Sequence, residues 1–379
     1  MRLVDTDDEA AFRATLRQWL RDNVPAGGPH SLDTEQRRAW SRRLHTAGYA
    51  GITWPREHGG RGLSASYQAV YAEESALAGA PDHVNVIGIG MVGPTLIRFG
   101  SPEQQRTFLP HILSGEVIFS QGFSEPDAGS DLASVRTRAR PHPDGWVLDG
   151  EKVWSSYAHL ADYCLLLART DEPATRHRGL TCFLLDMRAP GVQVRPLRQM
   201  SGDTDFNQIL LDSVVVPADA VLGTVGAGWK VAMTTLAHER GTFAITLTSR
   251  LAAELGRLVE TVRAAGASDC PVVRRELAQL HVEVQALRYT GYRALTALER
   301  TGTPGPESSV LKLRWSLANQ RLAALAVRVL DSRPGAGDDW SGYWRRQLLR
   351  SRTNTIEGGT SEILRGIVAE RVLGLPRSH

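Results

Sequence analysis

The stretch QGFSEPDAGSD, at residues 121–131, lies where one sequence pattern gives way to another. Before it, apolar residues recur at helical spacing; after it, short apolar runs alternate with proline, glycine and aspartate. The first pattern is typical of amphipathic helices and the second of strands joined by turns. The sequence therefore predicts a helical domain over residues 1–120 and a β domain that begins at residue 121.

Two capping boxes predict where helices begin in the first domain. Thr6 and Glu9 have the T-x-x-E spacing, in which the threonine and glutamate side chains each accept from the other's backbone N–H. Ser101 and Gln104 repeat this arrangement, and Pro102 occupies the first helical position, where its missing N–H costs nothing. We expect a helix to start at each of these points.

The middle of the chain predicts a small sandwich or barrel, because several short strands follow one another between turns. The apolar runs that predict strands lie at residues 146–148, 163–167, 180–185, 192–194 and 209–216. After Gly228 and Trp229 the helical pattern returns, with stripes at 276–300 and 309–330. We therefore expect the β domain to span 121–230 and a helical bundle to span 231–379.

Composition narrows the function classes. A chain of 379 residues is long enough for two or three domains with large cores. Its net charge of +3 is too small to indicate nucleic acid or membrane partners, and no run of about 18 apolar residues predicts a membrane span. Cys164, Cys182 and Cys270 form neither a CxxC pair nor a zinc motif, so no metal site is predicted. The N-terminus has no signal-peptide pattern, and we expect a cytoplasmic protein.

Four segments could carry chemistry, and each has a plain structural interpretation when taken alone. Residues 121–131 could form a capped connector, and Trp154 within GEKVWSS (150–156) could be a core residue. The charged stretch AHERG (237–241) could be a solvated helical turn. The stretch TNTIEGGTSEILR (353–365) could be a corner between two helices, capped by Thr360 or Ser361.

Together, in this order and at this spacing, the segments resemble the acyl-CoA dehydrogenase family over nearly the whole chain. FSEPDAGSD (123–131) is similar to that family's signature between its helical and β domains, and GEKVWSS is similar to its flavin-contacting strand. IEGGTSEILR with AERVLG (356–374) is similar to its C-terminal signature. The resemblance implies an α+β multidomain fold: an N-terminal α-helical domain, a middle β-barrel or β-sandwich domain and a C-terminal four-helix bundle.

The resemblance also implies a cofactor, FAD, bound between the β domain and the C-terminal bundle. Ser124 matches a hydroxyl that meets the flavin ring, Ser156 a hydroxyl near flavin N5, and Trp154 an indole that flanks the ring. Preorganised donors at such positions stabilise the negative charge that a hydride brings to the flavin. The other residues matched to the cofactor are Gln121, Phe123, Ser155, Thr360 and Glu362. Those matched to the thioester substrate are Ser130 and Arg240.

The implied reaction is the α,β-dehydrogenation of an acyl thioester, which needs a carboxylate base for the α proton. Many members of the family place that base just before G-T-S in the C-terminal signature, but here the position is Gly358. A second group carries it on the first helix of the C-terminal domain, where Glu239 stands, followed by Arg240. We expect Glu239 to be the base, with Glu357 or no base at all as the alternatives.

Two departures from the family pattern concern the FAD diphosphate. No R-x-x-F-G motif occurs near residues 262–280, and LDSRPGAGDDWSGY (330–343) stands in place of a Q-x-x-G-G-x-G loop. Arg274, Arg275 and the run Arg345 to Arg352 are candidate substitutes. Arginines on exposed helices usually only keep the helix surface in contact with water, and we expect that role here rather than binding of the diphosphate.

The resemblance implies partners as well. The substrate would be an acyl-CoA, or an acyl group on a carrier protein, and the electrons would pass to an electron-transfer flavoprotein. A homodimer or homotetramer is expected, with a hetero-oligomer as an alternative. Two other functions stay open: a flavin monooxygenase or oxidase on the same fold, and a non-catalytic subunit of a hetero-oligomer.

Overall fold

The structure is a computed structural model that describes residues 4–26, 32–171, 173–301, 305, 307–332 and 338–376. Within these ranges the side chains of 173–175, 239–244, 299, 301, 307 and 338–340 are not described. The helices are α1 Asp7–Asn23, α2 Thr34–Thr46, α3 Ala65–Leu77, α4 Gly93–Phe99, α5 Pro102–Ser114, α6 Gly228–Ala264, α7 Pro271–Thr301, α8 Glu307–Asp331, α9 Asp338–Ser351 and α10 Ser361–Arg371. The strands are β1 Phe119–Gly122, β2 Arg138–His142, β3 Gly145–Ser156, β4 Tyr163–Arg169, β5 Leu180–Asp186, β6 Val192–Leu197, β7 Phe206–Val216 and β8 Val221–Leu222.

The predicted order of helical, strand-rich and helical segments is confirmed, because each apolar run became a strand of the middle region. Both capping boxes form: Thr6 caps α1 and Ser101 caps α5, each in a reciprocal hydrogen bond with the third helical residue. Thr360 caps α10 by accepting from the Ile363 N–H. The sequence patterns missed β1, β2 and β8, which are too short or too polar to show alternation.

The eight strands found in the described ranges belong to one sheet with the order β6-β7-β3-β2-β4-β5-β8, and β1 pairs in parallel with β4. The antiparallel pairing of β3 with β7 holds the long central strand, whereas β2 meets β4 at a single position, Arg138 opposite Arg169. Cys164 and Cys182 are fully buried on β4 and β5.

One compact unit comprises Gly27–Leu63 and Pro81–His238 and contains the whole sheet. Its main core includes residues of α4, α5, β1, β4 and β5. The rings of Phe108, Phe119 and Tyr163 lie in contact there, with centroids 4.9–5.7 Å apart. Such aromatic contacts fix the direction in which β1 leaves the helices.

The other unit comprises Met1–Ala26, Ser64–Ala80 and Glu239–His379. The buried Glu74 carboxylate of α3 accepts from Arg13 and Arg17 of α1, at 2.8–2.9 Å. The apolar core of this unit lies among α6, α7, α8 and α9. The predicted domain boundaries at residues 120 and 230 remain a prediction, since each compact unit joins segments that are far apart in sequence. In the part of the chain that the structure describes, no helix combines the length and apolar character needed to cross a bilayer.

The environment of His83 predicts a pH dependence of stability. Its Nδ1 accepts from the Asn85 N–H at 3.0 Å, so Nε2 is the nitrogen that donates to the Leu113 carbonyl, at 3.1 Å. Burial lowers the pKa of His83 from 6.5 to about 4. Below pH 6.5 His83 becomes protonated in the unfolded chain but stays neutral in the folded chain. The free energy of unfolding therefore falls until the pH reaches about 4, where folded His83 is protonated as well.

We expect the free energy of unfolding to lose up to about 3 kcal/mol between pH 7 and pH 4 through this residue. Guanidinium denaturation of the wild type and of His83→Gln at pH 7, 5.5 and 4.5 measures it. The gap between the two proteins should narrow as the pH falls. A difference in stability that does not change with pH would show that folding does not lower the pKa of His83.

Candidate functional site

The carboxyl ends of β1 and β3 lie side by side. The Val153 N–H of β3 donates to the Ser124 carbonyl, just after β1, at 2.9 Å. This bond brings the start of FSEPDAGSD against the end of GEKVWSS, so two segments singled out in the sequence form one surface. Of the residues predicted to contact the cofactor, Ser124 lies on the first segment, Trp154 and Ser156 lie on the second, and Gln121 lies in β1 just before the first.

A bulge near the end of β3 turns Trp154 outward. The pairing of β3 with β7 slips between Lys152 and Ser155, and Trp154 takes a φ of 61°, a left-handed conformation that is rare for a bulky residue. Trp154 is 61% exposed, and its indole lies edge-on to Phe206, with ring centroids 6.1 Å apart. A large aromatic face held open in this way suits contact with a planar ligand.

The same bulge separates the two serines that follow. The Ser155 hydroxyl points into the sheet, where it is buried and has no hydrogen-bond partner among the described residues. Ser156 is half-buried, and its hydroxyl makes no hydrogen bond within the described part of the chain. Of the two predicted contacts, therefore, Ser156 offers a side chain to a ligand at this surface, whereas Ser155 offers only its backbone.

Ser124 and Gln121 are also available to a ligand. Both are half-buried, and neither side chain hydrogen-bonds to another residue that the structure describes. Phe123 differs, because its ring is packed in the main core. Ser130, predicted to contact substrate, is exposed in the loop that follows. The arrangement thus supplies hydroxyl and amide groups beside an exposed indole, which fits a polar, planar group such as a flavin.

Two charged residues that the sequence reasoning missed hold this surface in place. Lys152 is fully buried, and its Nζ donates to the Glu125 carboxylate at 2.8 Å and to the Phe123 carbonyl at 3.0 Å. Glu125 also accepts from the N–H groups of Arg136 and Thr137, at 2.6 and 2.9 Å. Burial alone raises the pKa of the Glu125 carboxyl, but Lys152 and these hydrogen bonds outweigh it and hold that pKa below its usual range. The sequence did hold one signal for this pair, because Lys152 stands at a core-facing position of a strand. A lysine is tolerated there only when an opposite charge pairs with it.

The C-terminal signature folds into a turn anchored on α8. The Lys312 Nζ donates to the Gly359 carbonyl at 2.8 Å, and the Ser316 hydroxyl donates to the Asn354 carbonyl at 2.7 Å. Gly358 and Gly359 have φ values of 61° and 98°, which glycine adopts without strain. Thr360 uses its side chain as the cap of α10, whereas Glu362 is exposed beside Arg365.

Glu357, the alternative base, is engaged by its neighbours. Arg350 reaches both of its carboxylate oxygens, at 2.9 and 3.2 Å, and the Asn354 amide donates to it at 2.7 Å. Glu239 and Arg240 lie in α6, but their side chains are outside the described residues. The preceding residue, His238, has a buried Nε2 without a partner among the described residues, and burial together with the charge of Arg98 lowers its pKa.

The candidate diphosphate arginines differ in their surroundings. Arg345 pairs with Asp331 at 3.1 Å, and Arg350 is held by Glu357. Arg274 and Arg275 are exposed on α7. Over the described residues, no group of three or more His, Cys, Asp and Glu side chains converges as a metal site requires.

Comparison with protein families matches three consecutive domains along almost the entire chain. They are the acyl-CoA dehydrogenase N-terminal domain at residues 6–116, the middle domain at 120–214 and the C-terminal domain at 226–373. The chain belongs to the acyl-CoA dehydrogenase family. It is therefore an oxidoreductase that acts on acyl-CoA, in a family of FAD-dependent flavoproteins, and the expected family is confirmed.

Individual acyl-CoA dehydrogenases agree with this assignment. The chain is 44% identical to acyl-CoA dehydrogenase IpdE1 of Mycobacterium tuberculosis, over 98% of each chain. It is 42% identical to IpdE1 of Mycolicibacterium smegmatis, over 97% of each. Among solved structures, the "Tcur3481-Tcur3483 steroid ACAD" matches with a TM-score of 0.89 at 32% identity, over 100% of both chains. The ChsE4-ChsE5 complex of M. tuberculosis matches with a TM-score of 0.87 at 30% identity, over the same share.

The packing of β1 predicts different tolerance at two glycines of the signature segment. A Cβ at Gly122 would lie 2.9 Å from both Cys164 Sγ and Leu166 Cδ1, which is too close for either atom. A Cβ at Gly129 would meet nothing within 4 Å. Gly122→Ala should therefore lower the free energy of unfolding by about 1–3 kcal/mol, the usual cost of overpacking. Gly129→Ala is the matched control and should leave the denaturation midpoint nearly unchanged; equal effects would contradict the packing argument.

Proposed function

We propose that this acyl-CoA dehydrogenase binds FAD against the carboxyl ends of β1 and β3 and oxidises an acyl thioester between its α and β carbons. The observation that carries the proposal is the bulge at Trp154, which exposes an indole beside the Ser124 and Ser156 hydroxyls. Neither hydroxyl makes a hydrogen bond to another residue in the described part of the protein, although both serines are half-buried. Polar groups left unpaired in this way are expected where a ligand completes the hydrogen bonding.

Each residue of this surface has a distinct role in the proposal. Trp154 flanks the flavin ring, while Ser124, Ser156 and Gln121 donate hydrogen bonds to its polar edge. Bound FAD supplies the acceptor for the hydride from the β carbon. Fixed donors stabilise the charge that then develops, at no cost of reorganisation during the reaction. Thr360 and Glu362 are proposed as further cofactor contacts, and Ser130 and Arg240 as substrate contacts.

We propose Glu239 of α6 as the base that removes the α proton. The family's more common position holds Gly358, which has no side chain to offer. Glu357, one residue earlier, has both oxygens committed to Arg350 and one also to Asn354. A carboxylate that is free to accept a proton is what the reaction requires.

Substituting the base tests its assignment. Glu239→Gln should retain FAD and bind substrate, because amide and carboxylate have the same shape, but lose turnover by at least about 100-fold. Glu357→Gln is the control: it should weaken the turn around residue 357 while keeping turnover within about tenfold. Steady-state rates with an artificial electron acceptor measure both. Full activity in Glu239→Gln, or a selective loss in Glu357→Gln, would reverse the assignment.

The substrate is proposed to be the CoA thioester of an acyl group that carries a bulky fused-ring system. The support is the likeness to a solved structure titled a steroid acyl-CoA dehydrogenase, at 32% identity over the full chain. The electrons are proposed to leave through an electron-transfer flavoprotein.

A second acyl-CoA dehydrogenase chain is proposed as a partner. The Tcur3481-Tcur3483 and ChsE4-ChsE5 structures are each named for two components. Two motifs expected for holding the FAD diphosphate are missing from this sequence, at 262–280 and at 330–343. Arg345 and Arg350, which could substitute for them, already form ion pairs. A homodimer or homotetramer is the alternative, and uptake of flavin by this chain alone would favour it.

An absorption spectrum followed by an anaerobic titration tests the function. The protein, alone or with its companion chain, should be yellow, and a ring-bearing acyl-CoA should bleach the flavin without oxygen. Short straight-chain acyl-CoAs should bleach it far less. Bleaching that requires a carrier-protein thioester would change the substrate class, and oxygen-dependent turnover without anaerobic bleaching would indicate an oxidase or monooxygenase. A protein that never takes up flavin, with or without a companion, would refute the proposal.

A further inference from the structure

Lys152 is the most deeply buried charge beside the candidate site, and no catalytic step uses it. Its side chain is 0% exposed, and the Nζ donates to two acceptors, the Glu125 carboxylate and the Phe123 carbonyl. Burying a charge is costly, and an ion pair with a carboxylate offsets that cost only when further hydrogen bonds satisfy both groups. Both acceptors lie in the segment FSEPDAGSD, and the bond to the Phe123 carbonyl is the one that acts on the peptide group next to Ser124.

That bond determines the orientation of a peptide group. In a trans peptide the carbonyl of one residue and the N–H of the next point in opposite directions. Because Lys152 draws the Phe123 carbonyl inward, the N–H of Ser124 points the other way. No residue of the described chain accepts from this N–H, whereas the Ser124 carbonyl accepts from Val153.

We propose that Lys152 is a positioning residue that holds the Ser124 N–H and hydroxyl toward the flavin. The inference rests on the proposed binding of FAD at the ends of β1 and β3. Lys152 does not touch the cofactor; it acts through the Phe123–Ser124 peptide. A donor fixed at the flavin edge stabilises the negative charge of the reduced ring, so both FAD affinity and reduction potential depend on it.

Glu125 has a separable role. Its carboxylate accepts from the Arg136 and Thr137 N–H groups and so closes the loop between residues 125 and 137. Replacing it with glutamine leaves a buried amine whose pKa falls in the apolar surroundings. A neutral amine still donates, and the bond to the Phe123 carbonyl is expected to survive.

Four variants of the full chain, with its companion if one is needed for flavin uptake, separate these roles. They are Lys152→Met, Glu125→Gln, the double variant Lys152→Met/Glu125→Gln, and Lys230→Met as a control at an exposed lysine of α6. The measurements are the melting temperature, the Kd for FAD added to deflavinated protein, and the reduction potential of the bound flavin.

Lys152→Met and Glu125→Gln should both melt at a lower temperature, but only Lys152→Met should raise the Kd for FAD, by about tenfold or more. The reduction potential of the flavin bound to Lys152→Met should also become more negative. The double variant, which buries no unpaired charge, should regain part of the melting temperature and keep the weak FAD binding. Lys230→Met should match the wild type in all three.

Wild-type Kd and potential in Lys152→Met, or in the double variant if the single one does not fold, would overturn the inference. An equal loss of affinity in Glu125→Gln would also overturn it, because loop stability would then be the cause. If the wild type itself shows no binding in the FAD titration, the proposed function has failed, and this outcome is distinct from a failure of the inference about Lys152.

Discussion

The ion pair between Glu125 and Lys152 joins the two segments on which the candidate site is built. Both charges leave water, so the pair is tolerated only because every one of its polar atoms is engaged. Glu125 accepts from Lys152 and two backbone N–H groups, and Lys152 also reaches the Phe123 carbonyl. The end of β1, the loop after it and the middle of β3 are thereby tied to one another.

A second buried lysine acts in the same way on the C-terminal signature, where Lys312 donates to the Gly359 carbonyl. Among the 44 lysines and arginines of the chain, only Lys152, Lys230 and Lys312 are lysines. Two of the three are buried against backbone carbonyls of the signature segments. A compact ammonium fits beside a carbonyl in a packed interior, whereas the wide guanidinium fork needs more room.

Backbone strain is concentrated at the end of β3, where Trp154 and Tyr157 both have positive φ values. Such conformations persist only when the surrounding structure enforces them, and they are frequent at functional sites. Here the pairing with β7 on one side and the Lys152 anchor on the other enforce the bulge. The result is an exposed indole beside unpaired hydroxyls, a combination that a regular strand could not present.

The sequence alone determined the features that depend on neighbouring residues. Capping boxes at Thr6 and Ser101, the strand runs and the order of the four signature segments follow from local spacing, and they identified the fold and the family. Only the tertiary structure decided what depends on residues far apart in the chain. It paired Glu125 with Lys152 and turned Ser155 inward while Ser156 stayed at the surface. A bulge reverses the facing of side chains without changing the composition of a strand, and so no pattern of residue types reveals it.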